Sequence, residues 1–432
     1  MRALLTPEQG TPELITTHEQ LISCIKELKS GTGPIAIDAE RASGFKYSTR
    51  AYLIQLFRRG GGLHLIDPIA ITDLDLVSDL NQVIASCETV IHASTQDLPC
   101  LREWGINPTI LFDTELGGRI AGCERVGLGA LCESLLEISL AKEHSAVDWS
   151  ARPLLQEWLD YAALDVAVLL DLRDEIAKLL EAQGKLKWAM QDFNAILNAP
   201  APKPRNEPWR RTSGMHEIKS RYQMAIIREL WSKRDEIASG LDIAPGRLLS
   251  DAVIIALAKS RIQNKAELLK LPEAKARIRN EVQKSYVDIW LETYLAASQL
   301  KEDSWPQLRT KTDTLPPVKI WKVKFPLAHA HMSHAKHDLA EVAAALAMPL
   351  ENLLTPEIAR KVCFDGGAEQ VHTPSPKLLD KVETQLRLNG AREWQIEKCA
   401  AILANALCQS QAIPTPEPVA SQPENPELPA EG

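Results

Sequence analysis

No apolar run in this 432-residue chain approaches the roughly twenty residues that a membrane-spanning helix requires, so no membrane partner is expected. No signal-peptide pattern opens the sequence, and a cytoplasmic location is expected. The eight cysteines (Cys24, Cys87, Cys100, Cys123, Cys132, Cys363, Cys399 and Cys408) form no C-x-x-C pair and mostly sit among apolar neighbours. That pattern points to reduced, buried thiols rather than a disulfide scaffold. Gly60-Gly61-Gly62 lacks the following helix and Lys of a phosphate loop, so ATP is not an expected partner. His329, His331, His334 and His337 lack the cysteines or acid that usually complete a structural zinc site, and they read as a helix entry. Positive charge is in deficit: 49 Lys and Arg against 57 Asp and Glu leave a net charge of −8, which by itself argues against nucleic acid.

What the chain does have is carboxylates in positions that converge. Ile35-Ala36-Ile37-Asp38-Ala39-Glu40 reads as an apolar strand carrying two acids on one face, because side chains at i and i+2 of a strand point the same way. Two ionised carboxylates that close repel, and a site that keeps them holds a cation or keeps one protonated. Asp73-Leu74-Asp75 has similar spacing but follows a Pro-containing turn, and it reads as a helix start. Thr89 to Ser94 reads as a short buried strand, after which Thr95-Gln96-Asp97-Leu98-Pro99 opens a helix with Asp97 in its first turn. Trp158 to Asp165 lies in a helical stretch expected to continue past Leu180, and there Tyr161 and Asp165, at i and i+4, share a face. Taken singly, these are a solvated strand end, a helix-start aspartate and a packed tyrosine.

Taken together, Asp38-x-Glu40, Asp97 and Tyr161-x3-Asp165 resemble the DEDD superfamily of 3'-to-5' exonucleases in its tyrosine variant. Over roughly the first 195 residues the wording is similar to the ribonuclease D family. The carrying phrases are IAIDAERASGFKYSTRAYLIQL from Ile35, HASTQDLPCL from His92, FDTELGG from Phe112, and Asp148-Trp149-Ser150 followed by Tyr161-Ala162-Ala163-Leu164-Asp165. One departure is visible: Ala93 follows His92 where the second motif often carries Asn. The resemblance implies that Asp38, Glu40, Asp97 and Asp165 hold two divalent ions, Mg2+ or Mn2+. Such hard ions take carboxylate oxygens, and a pair about 3.5–4 Å apart can generate hydroxide and offset charge on the leaving oxygen. Tyr161, with an ordinary pKa near 10, is a poor base and is assigned to orienting the attacking water.

The order of elements agrees. Ile35–Glu40, Ala51–Phe57 and Leu63–Pro68 suggest an antiparallel meander, after which strands and helices alternate to about Leu197. The expected fold is an α/β ribonuclease-H-like exonuclease domain, with the metal site at the open edge of its sheet, followed by all-α helical domains of HRDC type. Tyr222 to Leu271, with Arg228-Glu229-Leu230-Trp231 and Pro245-Gly246-Arg247-Leu248-Leu249-Ser250-Asp251, resembles the HRDC domain shared by RecQ-type helicases and ribonuclease D. Proline-dense stretches set the cuts. The domains expected are 1–198 exonuclease, 199–212 linker, 213–296 HRDC, 297–320 linker, 321–410 a second HRDC-like helical domain, and 411–432 a disordered acidic tail.

The distribution of charge reverses what the net charge implies. Lys203 to Trp290 holds 18 Lys and Arg against 11 Asp and Glu, a net +7 on an otherwise acidic chain. Arg221, Lys233, Arg234, Arg247, Lys259 and Arg261 are the candidate nucleic-acid contacts. The expected activity is metal-dependent 3'-to-5' exoribonuclease, with RNA bearing a single-stranded 3' end, transfer RNA and similar precursors, as partner. A DNA exonuclease and an inert nucleic-acid-binding protein are the competing readings.

Overall fold

The computed structural model describes residues 2–140, 147–201, 203–309, 314–365 and 374–409, which fall into two units, 1–312 and 313–432. In the first unit, runs rich in isoleucine, leucine and valine form β1 (Arg2–Leu4), β2 (Leu14–Ile15), β3 (Ile35–Arg41), β4 (Ala51–Arg58), β5 (Gly62–Ile66), β6 (Glu88–Ile91), β7 (Ile110–Asp113) and β8 (Ile138–Leu140). Six of these make one mixed sheet in the order β2-β5-β4-β3-β6-β7, while β1 and β8 pair separately in parallel. The meander β3-β4-β5 is antiparallel, as the sequence order predicts. β3 and β4 are buried over most of their length, the mark of central strands covered on both faces.

The three glycines form the β4–β5 turn. Gly60 and Gly62 are left-handed (φ 72° and 85°), and a Cβ on Gly61 would stand 3.1 Å from the Glu27 carbonyl oxygen. That oxygen belongs to α1 (His18–Ser30), which opens with a reciprocal cap between Thr17 and Gln20. α2 (Leu74–Ala85) is capped by Asp73, whose carboxylate accepts from the Asp75 and Leu76 amides, so this acid pair is a helix start. Then come α3 (Leu98–Trp104), α4 (Thr114–Ala121), the single turn α5 (Leu128–Leu131), α6 (Gln156–Ala167), α7 (Leu169–Ala182) and α8 (Leu186–Leu197). The long helix expected around Asp165 is thus two helices, parted at Val168.

The helical part of this unit comprises α9 (Arg221–Leu241), α10 (Pro245–Leu248), α11 (Asp251–Lys259), α12 (Lys265–Lys270), α13 (Pro272–Arg277), α14 (Glu281–Ser285) and α15 (Val287–Ser298). They close over Trp209, Ile227, Leu230, Ile254 and Trp290. In the second unit α16 (Trp321–Lys324), α17 (Pro326–Ala345), α18 (Leu350–Leu353), α19 (Pro356–Asp365), α20 (Pro376–Leu388) and α21 (Glu393–Gln409) bury Trp321, Leu339, Val362 and Leu403. The four histidines lie along α17 rather than at a helix entry, because Pro326 starts that helix ahead of them; buried His331 places its Nδ1 3.0 Å from the Cys363 carbonyl oxygen. The expected tail, 411–432, lies outside the described residues. Among the described residues no helix is long and apolar enough to cross a membrane.

Candidate active site

β3 outlasts its neighbour β6. The two pair only through Ile35↔Thr89 and Ala36↔Val90, so from Ile37 onward β3 has β4 as its one strand partner. Asp38 and Glu40 project from this stretch, on the face they share with Ala36. The acids therefore sit at the carboxyl end of a central strand, where the sheet opens because β6 has ended. Asp165 arrives on α6, where Ala162 and Ala163 are fully buried and small enough to let the helix backbone close on the sheet. Carboxylate oxygens of Asp38, Glu40 and Asp165 then lie within 4.8 Å of one another.

Asp97 comes from the turn after β6, which ends at Ile91 rather than Ser94 because the chain bends inward there. Ala93 is left-handed (φ 56°), and Asp113 at the end of β7 accepts hydrogen bonds from the Ala93 amide (3.2 Å), the Ser94 amide (2.8 Å), the Ser94 hydroxyl (2.6 Å) and the Leu116 amide (3.0 Å). Asp97 occupies the cap position of α3, one residue before the helix, yet its side chain caps nothing. A helix-start aspartate would spend its carboxylate on the next amides. This one instead neighbours Asp38, whose charge adds to burial in raising its pKa, and lies 3.6 Å from the Arg41 guanidinium.

Electrostatics record the crowding. Burial first, and then the charge of Asp38, push Asp97 and Asp165 up to about 8. Glu40 is held well above its ordinary value by burial and then by Asp38, Asp165 and Asp97. Asp38 is also raised by burial, against the pull of the Ala39 amide and Arg41. Burial and the neighbouring Asp165 and Glu40 raise Tyr161, so its hydroxyl keeps its proton and bonds to Asp165. A half-buried set of hard oxygen donors whose charges oppose one another fits a divalent cation.

The acids open into a cleft of about 430 Å³ whose walls include His92, Gly127, Leu128, Gly129, Leu140, Tyr161 and Leu169. Burial lowers the His92 pKa, so the ring is neutral near pH 7, and its Nδ1 is 2.9 Å from the Thr114 hydroxyl. Arg41, Asp113 and the Gly127–Leu128–Gly129 wall were not singled out from sequence. Arg41 had a local signal, adjacency to Glu40, and Asp113 lies within the quoted phrase FDTELGG; the glycine wall had none.

Residues 12–181 match the family model of a 3'-5' exonuclease, 223–292 that of the HRDC domain, and 314–407 that of the 3' to 5' exonuclease C-terminal domain. Ribonuclease D of Shewanella sp. (strain ANA-3) is 31% identical over 242 residues, 55% of this chain and 61% of that protein. Ribonuclease D of Escherichia coli (strain K12) is 28% identical over 305 residues, 68% of this chain and 77% of that one. The chain carries a 3'-5' exonuclease domain and an HRDC domain and is similar to ribonucleases D. Its alignments span only 61%, 65% and 62% of the length of three of these curated relatives. A crystal structure of a protein from Bifidobacterium adolescentis superposes with TM-score 0.83 at 32% identity, covering 94% of this chain and 99% of that one. The Escherichia coli RNase D structure, described as an exoribonuclease involved in structured RNA processing, gives TM-score 0.63 at 23% identity over 91% and 98%, and shows a common fold.

The six cations expected to contact nucleic acid fare unequally. Arg234 is 5% exposed and bonds the Leu249 carbonyl and Asp251, so it is withdrawn as a phosphate contact. Arg221 is spent on the carbonyls of Glu302, Trp305 and Pro306, which ties down a stretch expected to be a free linker. Arg247 bonds the Gly44 carbonyl and stacks on Phe45 in the exonuclease domain. Lys233 and Lys259 pair with Glu236 and Glu217 at the surface, and Arg261 is exposed. A separate cleft of about 680 Å³ gathers Arg210, His216, Lys219 and Arg309 over Met215, Ile218 and Leu308.

Proposed function

We propose that this chain is a metal-dependent 3'-to-5' exoribonuclease that trims single-stranded 3' ends of structured RNA, transfer RNA precursors among them. The observation that carries the reading is the approach of Asp38, Glu40 and Asp165 oxygens to within 4.8 Å, with Asp97 beside Asp38. These four acids hold two divalent ions, Mg2+ or Mn2+. Once bound, the ions supply an acidified water and offset charge on the leaving oxygen. Tyr161, as a protonated donor, orients that water. Leu128, Leu140 and Leu169 take the apolar faces of the terminal nucleotide, and the neutral His92 lines the same cleft.

Grip on the RNA body falls to Lys219, Arg309 and Arg261, exposed cations of the helical region. Six of the eight cysteines are buried, the setting of reduced structural thiols, which suits the cytoplasm. The test is degradation of 3'-end-labelled and 5'-end-labelled RNA and DNA oligomers with Mg2+, Mn2+ or EDTA. Stepwise shortening of RNA from the 3' end, blocked by EDTA, is expected. Faster removal of DNA would make it a DNA exonuclease, and RNA binding without cleavage an inert binder.

A further inference from the structure

The chain that leaves the metal-binding strand is held by the helical domain. Between β3 and β4, residues 42–50 form a loop with few internal bonds of its own. Across from it, the Ala244 amide donates to the Phe45 carbonyl (2.9 Å), and Arg247 Nε donates to the Gly44 carbonyl (2.7 Å) while its guanidinium lies 4.0 Å from the Phe45 ring centre. The Tyr47 hydroxyl reaches both oxygens of Asp235 at 3.2 Å. Asp242 takes the Ser48 amide at 2.8 Å and the Tyr52 hydroxyl at 3.3 Å, with Lys46 and Arg50 at 4.0 and 3.8 Å.

Two details make this more than domain packing. Glu40 faces Leu53 but Arg41 faces Ala51, so Tyr52 is an extra residue in β4, a bulge beside the Glu40–Arg41 step. Bulges re-aim neighbouring side chains, and the buried hydroxyl of this one is tied to Asp242. Asp242 itself is left-handed (φ 50°) at the end of α9, a position where glycine is the low-strain choice. Aspartate is among the side chains that tolerate this conformation, and here its carboxylate holds the loop.

We propose that Asp242 and Arg247 are positioning residues for the acid cluster, so that hydrolysis depends on the helical domain even when the substrate is too short to reach it. The proposal rests on the exonuclease reading above. It makes Arg247 a clamp on the exonuclease domain rather than a phosphate contact.

The test uses the full-length chain carrying Asp242→Gly, which keeps the left-handed helix end and removes only the carboxylate, and Arg247→Met. Asp242→Asn is the milder companion should either variant melt early. Turnover on a short single-stranded RNA and the Mn2+ concentration that half-saturates thermal stabilisation are measured for each. Turnover should fall about 10- to 100-fold with KM changed less than about threefold, as a slight misplacement of ligands dictates. The Mn2+ midpoint should rise several-fold. Unchanged turnover and an unchanged midpoint would overturn the proposal, and so would a loss confined to KM for long RNA. If the wild-type protein cleaves nothing, the exonuclease reading fails, while the Mn2+ midpoint still decides whether the clamp positions the acids.

Discussion

Asp38→Asn should abolish cleavage in the presence of metal and make the metal-free protein more stable. Asp38 is the charge that raises Glu40, Asp97 and Asp165 alike, and its carboxylate lies within 4.8 Å of two of them. Two unit charges 4.8 Å apart repel by about 3.5 kcal/mol at an effective dielectric constant of about 20. Partial protonation of neighbours held near 8 already relieves some of this, so a net gain of about 2–4 kcal/mol is expected at pH 9. At roughly 2 °C per kcal/mol for a unit of this size, Tm in EDTA should rise by about 4–8 °C.

The sign reverses the usual carboxylate case. These acids have folded-state pKa values above their ordinary ones, so the folded state binds protons more tightly than the unfolded one. Wild-type stability in EDTA is therefore greatest below pH 4 as far as this cluster is concerned, and it declines as pH rises through about 8. The gain from Asp38→Asn should shrink towards zero at pH 5. Differential scanning calorimetry of both proteins at pH 5 and 9, each with EDTA and with Mn2+, gives the four comparisons needed. Mn2+ should raise the wild-type Tm and leave the variant nearly unmoved. A variant that melts several degrees below wild type in EDTA at pH 9, or that retains activity within about tenfold, would refute the metal-cluster reasoning.

Tyr161→Phe removes one hydroxyl and should lower turnover by about 10²–10⁴-fold with KM little changed; a change in KM alone would make Tyr161 a binding residue. Mn2+ affinity, read by titration calorimetry, should increase as pH rises from 6 to 8.5, because Asp97 and Asp165 must lose protons held up to about 8 before they ligate; a flat profile would contradict that. Lys219→Ala with Arg309→Ala should weaken binding of a structured RNA and reduce its salt slope by roughly 0.7–0.9 for each phosphate no longer neutralised. Arg234→Met should leave that slope alone and cost about 2–3 kcal/mol of stability, seen by denaturant melts, because it strips a buried cation from Asp251 and the Leu249 carbonyl.

What could be read from sequence divides along a physical line. The i, i+2 spacing of Asp38 and Glu40 and the i, i+4 spacing of Tyr161 and Asp165 are properties of a strand and a helix, so their faces were legible before any fold was known. Asp97 was legible by its place in the series, although nothing local says that its carboxylate declines to cap α3. Asp113, which anchors the Asp97 turn, and the bulge at Tyr52 depend on pairing partners, which a single chain read in order does not reveal. Three of the six cations, Arg221, Arg234 and Arg247, are occupied elsewhere for a related reason. A count of +7 treats every guanidinium as facing outward, but Arg221 and Arg234 face carbonyls of their own domain and Arg247 faces a loop 203 residues away. Arginine has five donors in a flat fork, which makes it as good at binding several carbonyls as at binding phosphate. The basic surplus is therefore partly structural, and the linker that looked like a clean cut between chemistry and grip lies next to a domain that holds the loop leaving β3. Removing the helical half would take the support of Glu40 with it, so turnover on a short RNA, rather than affinity for a long one, is the measurement that separates the two roles.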